Sequence, residues 1–475
     1  MKFYIKTFGC QMNVNDSEKM RHILKEKGLT AAKNEIDADI VIINSCAVRE
    51  KPQEKIFSFA GRVPAGKKVI VAGCVAQSEK ENILKRGPRI DYVVGTHQYY
   101  KIGDIVDKMA SPGLENSPSP EEDPKQKFCG GAGGSFSKEP PARRRQKKVS
   151  AEFTKEWQEK TPYVESRDSV VSGFISIMEG CDNFCSYCIV PFTRGREKHR
   201  PFAQIVKEAE YLAEAGYKEI ILLGQNVNNW QDSGEGLKFP DLLARLAEHV
   251  PVKWLRFITS YPGYYDDELI AVLAEHRSVA RHIHFPAQSG STRILKKMNR
   301  IYTRPRYLKI IKDFKKKVPG MKFSADFIVG FPGETERDFR LTLSLIEQVE
   351  YESLFSFIYS PRKHTKAYKA ADDIPLQVKK ERLYRLQETQ EKIQLRNNKK
   401  LVGREVEVLV TGVNPKKAGA VIGRTESYQV VNFVSDALPG EIRKVLVDNV
   451  GPYSLRGDVE RLRRKRQRVS VFDSK

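Results

Sequence analysis

Over the first 110 residues, short apolar runs alternate with longer amphipathic stretches, which predicts a repeated strand-then-helix unit. The predicted elements follow in this order: Phe3 to Phe8, helix 16–27, Asp39 to Asn44, helix 47–60, Lys68 to Ala72, helix 75–86, Ile90 to Val94 and helix 98–109. Strands joined by helical crossovers pair in parallel. We therefore expect an amino-terminal domain over residues 1–110 built on an open parallel sheet.

The same alternation returns between residues 167 and 397. Six apolar strand candidates are separated by helical stretches: Gly173 to Met178, Glu219 to Leu223, Trp254 to Ile258, His282 to Phe285, Phe323 to Val329 and Leu354 to Tyr359. Six parallel strands predict a partial (β/α)6 barrel, with function at the carboxyl strand ends. Residues 400–461 change to short strands with glycine and proline turns, which predicts a small five-stranded β-barrel. The fold class is therefore α/β with a carboxy-terminal barrel.

Residues 111–150 are rich in proline, glycine, serine and charge, which predicts a disordered linker. Its basic run, Arg143 to Lys148, is either a solvated charge run or an RNA contact. Cys129 has no candidate ligand near it in sequence and is interpreted as a free thiol. The linker separates the first predicted domain from the second.

Charge indicates the kind of partner. The 475-residue chain carries a formal net charge of +22, which favours a polyanion such as nucleic acid. Its apolar runs, such as Ile40 to Ile43, are too short to span a bilayer, so no membrane partner is expected. A strand-like pattern begins at the first residues and leaves no room for a signal peptide. We expect a cytoplasmic location.

A cysteine directly follows each of the first three predicted strands: Cys10, Cys46 and Cys74. Carboxyl ends of parallel strands share one edge of a sheet, so these thiols should converge. The alternative is that small apolar cysteines simply suit tight turns at strand ends. Three thiolates fit a 4Fe-4S cluster with one open iron, and their softness disfavours calcium or magnesium.

A second set of cysteines, Cys181, Cys185 and Cys188, follows the first strand of the predicted barrel. Their spacing lets three thiolates reach three corners of one 4Fe-4S cube and leaves the fourth iron open. One alternative is zinc, for which His199 is the only nearby fourth ligand, and another is a set of buried thiols. The other strand-end segments contain glycines, amides and hydroxyls that suit a cofactor pocket, although each alone is an ordinary turn. The candidate pocket residues are Gln225, Asn226, Ser260, Gln288, Ser289 and Gly330.

The CxxxCxxC loop with an aromatic residue, Tyr187, before its last cysteine resembles the radical S-adenosylmethionine (radical SAM) enzymes. The resemblance implies that Tyr187 belongs to the cofactor site and that S-adenosylmethionine chelates the open iron. It further implies that an electron from the cluster cleaves the cofactor to a 5′-deoxyadenosyl radical. A low-potential electron donor is then a required partner.

Further strings resemble the methylthiotransferase family, in the branch that modifies isopentenyladenosine in tRNA. They are Phe8-Gly-Cys-Gln-Met-Asn13, Asn44-Ser-Cys-Ala-Val-Arg49, Gly73-Cys-Val-Ala-Gln77, Arg194-Gly-Arg-Glu197, Gly423-Arg-Thr-Glu426, Val431-Asn-Phe433 and Ser454-Leu-Arg-Gly457. The likeness implies a barrel of the TRAM type and two 4Fe-4S clusters, one on each cysteine set. It also implies a tRNA whose adenosine 3′ of the anticodon carries an isopentenyl group and receives a methylthio group at carbon 2.

Three features depart from that family: the long linker, Phe285 where a leucine is usual, and Lys363-His364 where a proline-glycine pair is usual. We expect the two substitutions near the pocket rim. Rival interpretations are a methylthiotransferase for a ribosomal-protein aspartate or for threonylcarbamoyladenosine, and a non-catalytic RNA-binding redox sensor. The small barrel could also serve in dimerisation or packing alone.

The tail after the last predicted strand, residues 462–475 with the preceding Arg461, generates the first prediction. Its basic side chains are Arg461, Arg463, Arg464, Lys465, Arg466 and Arg468. Such residues contact phosphates, so truncation after Glu460 should weaken tRNA binding and flatten its dependence on salt. Binding curves at several salt concentrations measure this, and an unchanged salt slope would make the tail a solvated end. Cofactor cleavage without tRNA should stay the same.

Overall fold

The computed structural model describes residues 1–47, 50–110, 148–154, 156–157, 167–232 and 234–459. Its chain divides into two units, Met1–Phe153 and Thr154–Lys475. Three predicted features lie outside the described residues: Cys129, the basic run except for its last residue, Lys148, and the arginine-rich tail. None of the helices in the described ranges is long and apolar enough to cross a membrane.

Within its described residues, the first unit contains a six-stranded sheet in the order β2-β1-β3-β4-β5-β6, with every neighbouring pair parallel. Its elements are β1 Lys2–Phe8, α1 Gln11–Glu26, β2 Thr30–Ala31, β3 Ile40–Ser45, α2 Glu50–Arg62, β4 Lys68–Ala72, α3 Cys74–Glu79, α4 Glu81–Arg86, β5 Tyr92–Val94, α5 Ile102–Ala110 and β6 Lys148–Ser150. The predicted open parallel sheet is confirmed.

The strand β6 corrects the predicted linker. Residues 148–150 fall within the segment expected to be disordered, but they pair in parallel with β5 through Tyr92↔Lys148 and Val94↔Ser150. Ser150 O also accepts a hydrogen bond from Gly95 N at 2.7 Å. A three-residue edge strand has too few residues to show periodicity, so only its backbone pairing with β5 reveals it.

Burial explains why β3 lies at the centre of this sheet. All six residues of Ile40–Ser45 are buried, and Ile40 and Ile42 pack with Ile70 of β4 and Leu24 of α1. Burying each such side chain contributes about 1.5–3 kcal/mol, so the central strands fix the order of the sheet. Their carboxyl ends then meet at one edge.

The second unit carries six parallel strands in chain order, arranged within the described residues as two three-stranded sheets, β7-β10-β11 and β12-β13-β14. Its first elements are β7 Ser172–Ser176, β8 Met178–Glu179, α6 Val190–Arg194, β9 Lys198–His199, α7 Phe202–Glu214, β10 Glu219–Leu223, α8 Phe239–His249, β11 Trp254–Phe257, α9 Asp267–Glu275, β12 His282–His284, α10 Thr292–Lys297, α11 Arg304–Lys317, β13 Lys322–Val329, α12 Glu336–Val349, β14 Ser353–Ile358 and α13 Leu376–Lys399. An isolated parallel bridge, Leu255↔Val279, joins β11 to the segment that leads into β12. The predicted partial (β/α)6 barrel is confirmed.

A closed five-stranded barrel of order β15-β16-β17-β19-β18 follows in the described carboxy-terminal residues. Its strands are β15 Glu405–Val413, β16 Ala420–Arg424, β17 Val430–Val434, β18 Ile442–Val450 and β19 Leu455–Asp458. Arg256 of β11 ties it to the partial barrel, because Nη1 donates to Glu426 O at 2.6 Å and Nε donates to Glu219 Oε1 at 2.5 Å. The predicted small barrel is confirmed.

Candidate functional site

The loop that carries Cys181, Cys185 and Cys188 is closed at its base. Antiparallel pairing of β8 with β9 brings Glu179 opposite Lys198, and Cys181 N donates to Gly195 O at 3.1 Å. Gly180 has φ +82°, and a Cβ at this position would lie 2.0 Å from Arg196 O. Only glycine permits this approach of the two backbones.

Two side chains direct N–H groups at the sulfur atoms. Arg300 Nη1 lies 3.4 Å from Cys185 Sγ, and Asn183 Nδ2 lies 3.5 Å from Cys181 Sγ. The Arg300 guanidinium is itself stacked 4.3 Å from the ring centre of Tyr261. Such donors stabilise a negatively charged thiolate, and they tune the potential of an iron-sulfur cluster.

Without a metal, burial raises the pKa of the Cys181 thiol to about 11 and raises that of Cys188 further. Iron binding would deprotonate these thiols, since a coordinating thiol loses its proton to the metal. The donor set is therefore sulfur that becomes anionic on loading, with hydrogen bonds already in place. These residues fit an iron-sulfur cluster.

The zinc alternative needs His199, and this side chain is engaged elsewhere. Its Nδ1 lies 3.0 Å from Gln231 O, and its Nε2 lies 3.6 Å from Glu197 Oε2. Among the residues that the structure describes, no three His, Cys, Asp or Glu side chains are arranged to hold a single metal ion. The geometry gives zinc no fourth ligand at this loop.

The middle of the loop is seated between two other segments. Ser186 N donates to Met298 O at 2.9 Å, Ser186 Oγ donates to Lys297 O at 2.8 Å, and Ser186 O accepts from Ala367 N at 2.6 Å. Tyr187 is half-buried and packs against the apolar cluster that contains Met298. Its hydroxyl pKa is raised, first of all by burial. Tyr187 thus anchors the cysteine loop to this apolar cluster by packing.

Gln225 and Asn226, predicted as pocket residues, lie directly against the loop. Gln225 Oε1 accepts from Gly180 N at 2.6 Å, and Asn226 Nδ2 donates to Glu197 Oε1 at 3.0 Å. Burial opposes ionisation of Glu197, but hydrogen bonds from His199 and two asparagines lower its pKa. Buried Asn226 Oδ1 has no hydrogen-bond partner within the described chain, which leaves an acceptor for a bound cofactor.

The other predicted pocket residues lie on neighbouring turns at carboxyl strand ends. Ser260 is buried after β11, and Gln288 follows β12 with φ +67° and donates its N–H to Asp326 O at 2.8 Å. Ser289 Oγ accepts from Ser291 N at 3.2 Å, and Gly330 N donates to Glu334 Oε2 at 2.8 Å. They share one edge of the partial barrel with the cysteine loop.

Asp338 joins two of these turns. Its Oδ1 accepts from Ser291 Oγ at 2.6 Å in the turn after β12, and its Oδ2 accepts from Thr335 N at 2.9 Å in the turn after β13. Burial opposes ionisation, but hydrogen bonds from Arg293, Ser291 and Thr335 hold the Asp338 pKa well below its usual range. The ionised Asp338 carboxylate therefore holds the turns after β12 and β13 together by hydrogen bonds; we call this contact the carboxylate clamp.

In the first unit, Cys10, Cys46 and Cys74 occupy the carboxyl ends of the adjacent strands β1, β3 and β4. Cys46 N donates to Phe8 O at 2.9 Å, which extends the pairing of β1 with β3 to the cysteine itself. Among the described residues, no disulfide links the cysteines. The predicted convergence on one sheet edge is confirmed in topology.

A buried amide network holds the three cysteine segments together. Asn13 Nδ2 donates to Asn44 Oδ1 at 3.0 Å, and Asn44 Nδ2 donates to Asn13 O at 2.8 Å. Asn13 Oδ1 lies 3.4 Å from Cys10 Sγ. Gly73, with φ +88°, completes the network, because a Cβ there would lie 2.2 Å from Asn44 Oδ1 and 2.9 Å from Ser45 O. Each cysteine thus adjoins one member of the network.

Three family models match successive parts of the chain: Uncharacterized protein family UPF0004 at residues 2–95, the Radical SAM superfamily at 175–346 and the TRAM domain at 399–459. A tRNA-2-methylthio-N(6)-dimethylallyladenosine synthase from Bdellovibrio bacteriovorus is 39% identical over 467 residues, covering 96% of this chain and 95% of the relative. The same-named protein of Geobacter sulfurreducens is 40% identical over 471 residues, covering 96% and 97%. The chain belongs to this synthase family.

Solved structures agree with the synthase fold. A radical S-adenosylmethionine methyltransferase, TsrM, from Kitasatospora setae, with tryptophan substrate and a SAM analog bound, matches with a TM-score of 0.51 and 14% identity. The match covers 74% of this chain and 72% of that one. At this identity the likeness shows the fold alone.

Family membership decides between the rival interpretations. A synthase with a Radical SAM domain is an enzyme, so the non-catalytic redox sensor is wrong. The relatives are named for the dimethylallyladenosine branch, and not for an aspartate or a threonylcarbamoyladenosine substrate. The resemblance of the quoted strings to the methylthiotransferase family is confirmed.

The expectation that Phe285 lies near the pocket rim is wrong. The Phe285 side chain is fully buried, with ring centres of Tyr265 and Tyr307 at 4.8 and 4.7 Å, because it points outward from β12 into the helix-packed core. His364 does lie beside the cysteine loop, with its ring centre 6.0 Å from that of Phe192. Of the two substitutions, only the one at His364 reaches the site.

Sequence reasoning assigned no role to three side chains of the site: Arg300, Glu197 and Asp338. Glu197 lies within a quoted family string, which is a usable signal. Arg300 is 115 residues from Cys185, and Asp338 is 47 residues from Ser291. No local pattern indicates contacts of this range.

The second prediction concerns Gly73, which lies next to Cys74 at the carboxyl edge of the first sheet. Gly73→Ala should lower the free energy of unfolding of the first unit by about 1–3 kcal/mol, because φ +88° with ψ −157° is a conformation that essentially only glycine adopts. It should cost a further 1–3 kcal/mol, roughly, for the contact with Asn44. Denaturant unfolding and iron content after reconstitution measure both effects, and we expect loss of about four iron atoms.

Gly66→Ala is the matched control, because Gly66 has φ +86° and a Cβ added there would meet nothing within 4 Å. Its free energy of unfolding should fall only by the backbone term, and its iron content should not change. Equal stability and equal iron content in the two variants would show that the Asn44 contact does not organise the cysteines.

The carboxylate clamp generates the third prediction. Asp338→Ala leaves Ser291, Arg293 and Thr335 without their common acceptor, so unfolding free energy should fall by about 2–4 kcal/mol. S-adenosylmethionine binding should weaken at the same time. Glu347→Ala, an exposed position of the same helix, should stay within about 0.5 kcal/mol of wild type. Comparable losses in both variants would refute the clamp.

Proposed function

We propose that this synthase transfers a methylthio group to carbon 2 of an isopentenyladenosine 3′ of the anticodon in tRNA, using two 4Fe-4S clusters. The observation that carries the proposal is the presence of two three-cysteine sets, each at the carboxyl edge of its own parallel sheet. Two sets with three protein ligands each leave an open iron on both cubes.

Cys181, Cys185 and Cys188 would hold the radical cluster. When bound, the cluster and S-adenosylmethionine supply an electron and a hydrogen-abstracting radical, chemistry that acid-base side chains lack. Arg300 and Asn183 hydrogen-bond the thiolates, and Gln225 fixes the base of the loop through Gly180. The residues proposed to line the S-adenosylmethionine pocket are Tyr187, Gln225, Asn226, Ser260, Gln288, Ser289 and Gly330.

Cys10, Cys46 and Cys74 would hold the auxiliary cluster, which would supply the site where sulfur receives a methyl group from S-adenosylmethionine. Asn13 and Asn44 join the segments of Cys10 and Cys46 by hydrogen bonds, and Gly73, next to Cys74, packs closely against Asn44. Preorganisation of this kind lowers the entropic cost of assembling ligands from distant parts of the chain.

The remaining partners follow from the reaction. The TRAM barrel and the net charge of +22 would bind the tRNA through phosphates, and the target adenine would have to leave its base stack to reach the pocket. A low-potential electron donor would reduce the radical cluster. The proposed location is the cytoplasm, where tRNA is modified.

Separate replacement of the two cysteine sets is the fourth prediction. Cys181, Cys185 and Cys188 changed together to alanine should abolish reductive cleavage of S-adenosylmethionine and leave about four of about eight iron atoms. The same change at Cys10, Cys46 and Cys74 should also leave about four, yet spare the cleavage and stop methylthio transfer. Iron analysis and a cofactor-cleavage assay measure these outcomes.

A full iron complement in the second triple variant would remove the auxiliary site from the proposal. Normal cofactor cleavage in the first would remove the radical site. Circular dichroism of both proteins in the apo state serves as the folding control.

A further inference from the structure

The inside of the partial barrel holds a polar cluster that the proposed cofactor sites do not use. Its members, here called the inner layer, are His284 of β12, Ser324 and Asp326 of β13, and Phe355 of β14. His284 Nδ1 lies 3.0 Å from Ser324 Oγ, and His284 Nε2 lies 3.3 Å from Asp326 Oδ2. The Phe355 ring centre lies 6.0 Å from that of His284.

Strand alternation places these side chains on the inner face. Successive residues of a strand point to opposite faces, and Ile283, Ala325 and Phe327 pack outward into the helix-covered core. Their neighbours His284, Ser324 and Asp326 therefore point inward. Phe355 is in register with Asp326 and lies on the same face.

Side chains from both barrels fill the amino end of this interior. The Tyr428 ring from the carboxy-terminal barrel stacks on His282 with centres 5.9 Å apart and planes at 11°. The Arg256 guanidinium lies 5.0 Å from the same ring and pairs with buried Glu219. A ligand of the inner layer would have to enter from the carboxyl end, where the cysteine loop lies.

Contacts connect the inner layer to that loop. Arg300, which donates to Cys185 Sγ, also donates to Pro286 O at 2.9 Å, two residues beyond His284. The Asp326 carbonyl accepts from Gln288 N, the predicted pocket residue. The inner layer is thus directly below the edge that carries the radical chemistry.

The exposure of the layer argues against a purely structural role. A structural His–Asp pair in a core would be closed off, but the Asp326 side chain is 31% exposed and Phe355 is 50% exposed. The Asp326 carboxylate contacts His284 through one oxygen and has further acceptor sites, so it can take another donor. Solvent-accessible acceptors next to an aromatic ring suit a nucleoside.

We propose that Asp326, oriented by His284, binds the substrate nucleoside by accepting a hydrogen bond from the N6–H of its modified adenine, with the Phe355 ring beside the base. This inference rests on the proposed function. In an N6-dimethylallyl adenine the ring nitrogens are acceptors, and N6 keeps one N–H, so a carboxylate on the base edge pairs with that donor. The apolar ring suits the dimethylallyl group.

The test uses full-length, iron-reconstituted enzyme and two synthetic anticodon stem-loops. One carries N6-dimethylallyladenosine, and the other carries the same nucleoside with an added N6-methyl group, which removes the donor. Asp326→Ala should lower kcat/KM on the first RNA by about 10- to 100-fold, as expected for a hydrogen bond to a charged group. Wild type should lose a similar factor on the second RNA, while the variant loses nothing more.

Cofactor cleavage without RNA separates this role from a cofactor or folding role. Asp326→Ala should cleave S-adenosylmethionine at the wild-type rate. Asp313→Ala, which removes a carboxylate of similar exposure paired with Lys309 on a helix, should match wild type in every assay. Loss of cleavage without RNA, or undiminished transfer to the first RNA, would overturn the proposal. Absence of methylthio transfer by wild type, with iron fully loaded, would instead overturn the proposed function.

If Asp326→Ala does not load iron, the isosteric variant Asp326→Asn is used for the same test. Its neutral acceptor should keep about half of the hydrogen-bond free energy, which corresponds to a 3- to 10-fold loss, roughly, on the first RNA. It should show little further loss on the second RNA. A loss of the same size on both RNAs, relative to wild type on each, would overturn the proposal.

Discussion

Bringing thiols from separate segments to one place is the physical constraint on which this structure depends. Each cysteine set needs backbone to approach backbone or amide so closely that a β-carbon would collide. At Gly180 the opposing group is Arg196 O, and at Gly73 it is Asn44 Oδ1. Because both glycines adopt positive φ, the chain turns sharply at the strand end and presents its cysteines at the sheet edge. Both units therefore use a glycine with positive φ next to a cysteine, although the surrounding sequences differ.

The partial barrel can be understood as a stack of layers along its axis. Arg256, Glu219 and Tyr428 fill the amino end, the inner layer with Asp326 lies above them, and the cysteine loop lies at the carboxyl end. Arg256 and Glu219 at the amino end are buried, whereas Asp326 and Phe355 of the inner layer are partly exposed. The arrangement places a polar interior surface next to the cysteine loop, and the carboxy-terminal barrel contributes Tyr428 to the filled amino end.

Much of this was predictable because it is local. Strand runs such as Ile40 to Ile43 and the cysteines that follow them are adjacent in sequence, so topology alone brings Cys10, Cys46 and Cys74 to one edge. What could not be predicted depends on distant contacts. The strand β6 exists through its pairing with β5, and Arg300 reaches Cys185 across 115 residues. The expected position of Phe285 was wrong because this residue lies just past a three-residue strand, where packing and not pattern decides which way a side chain points.

The most direct test of the central claim is mass spectrometry of nucleosides from tRNA of a strain that lacks this protein. The account predicts that 2-methylthio-isopentenyladenosine disappears, that isopentenyladenosine accumulates in its place, and that the wild-type chain restores the methylthio nucleoside. An unchanged level of the methylthio nucleoside in the deletion strain, or loss of a different nucleoside, would contradict it.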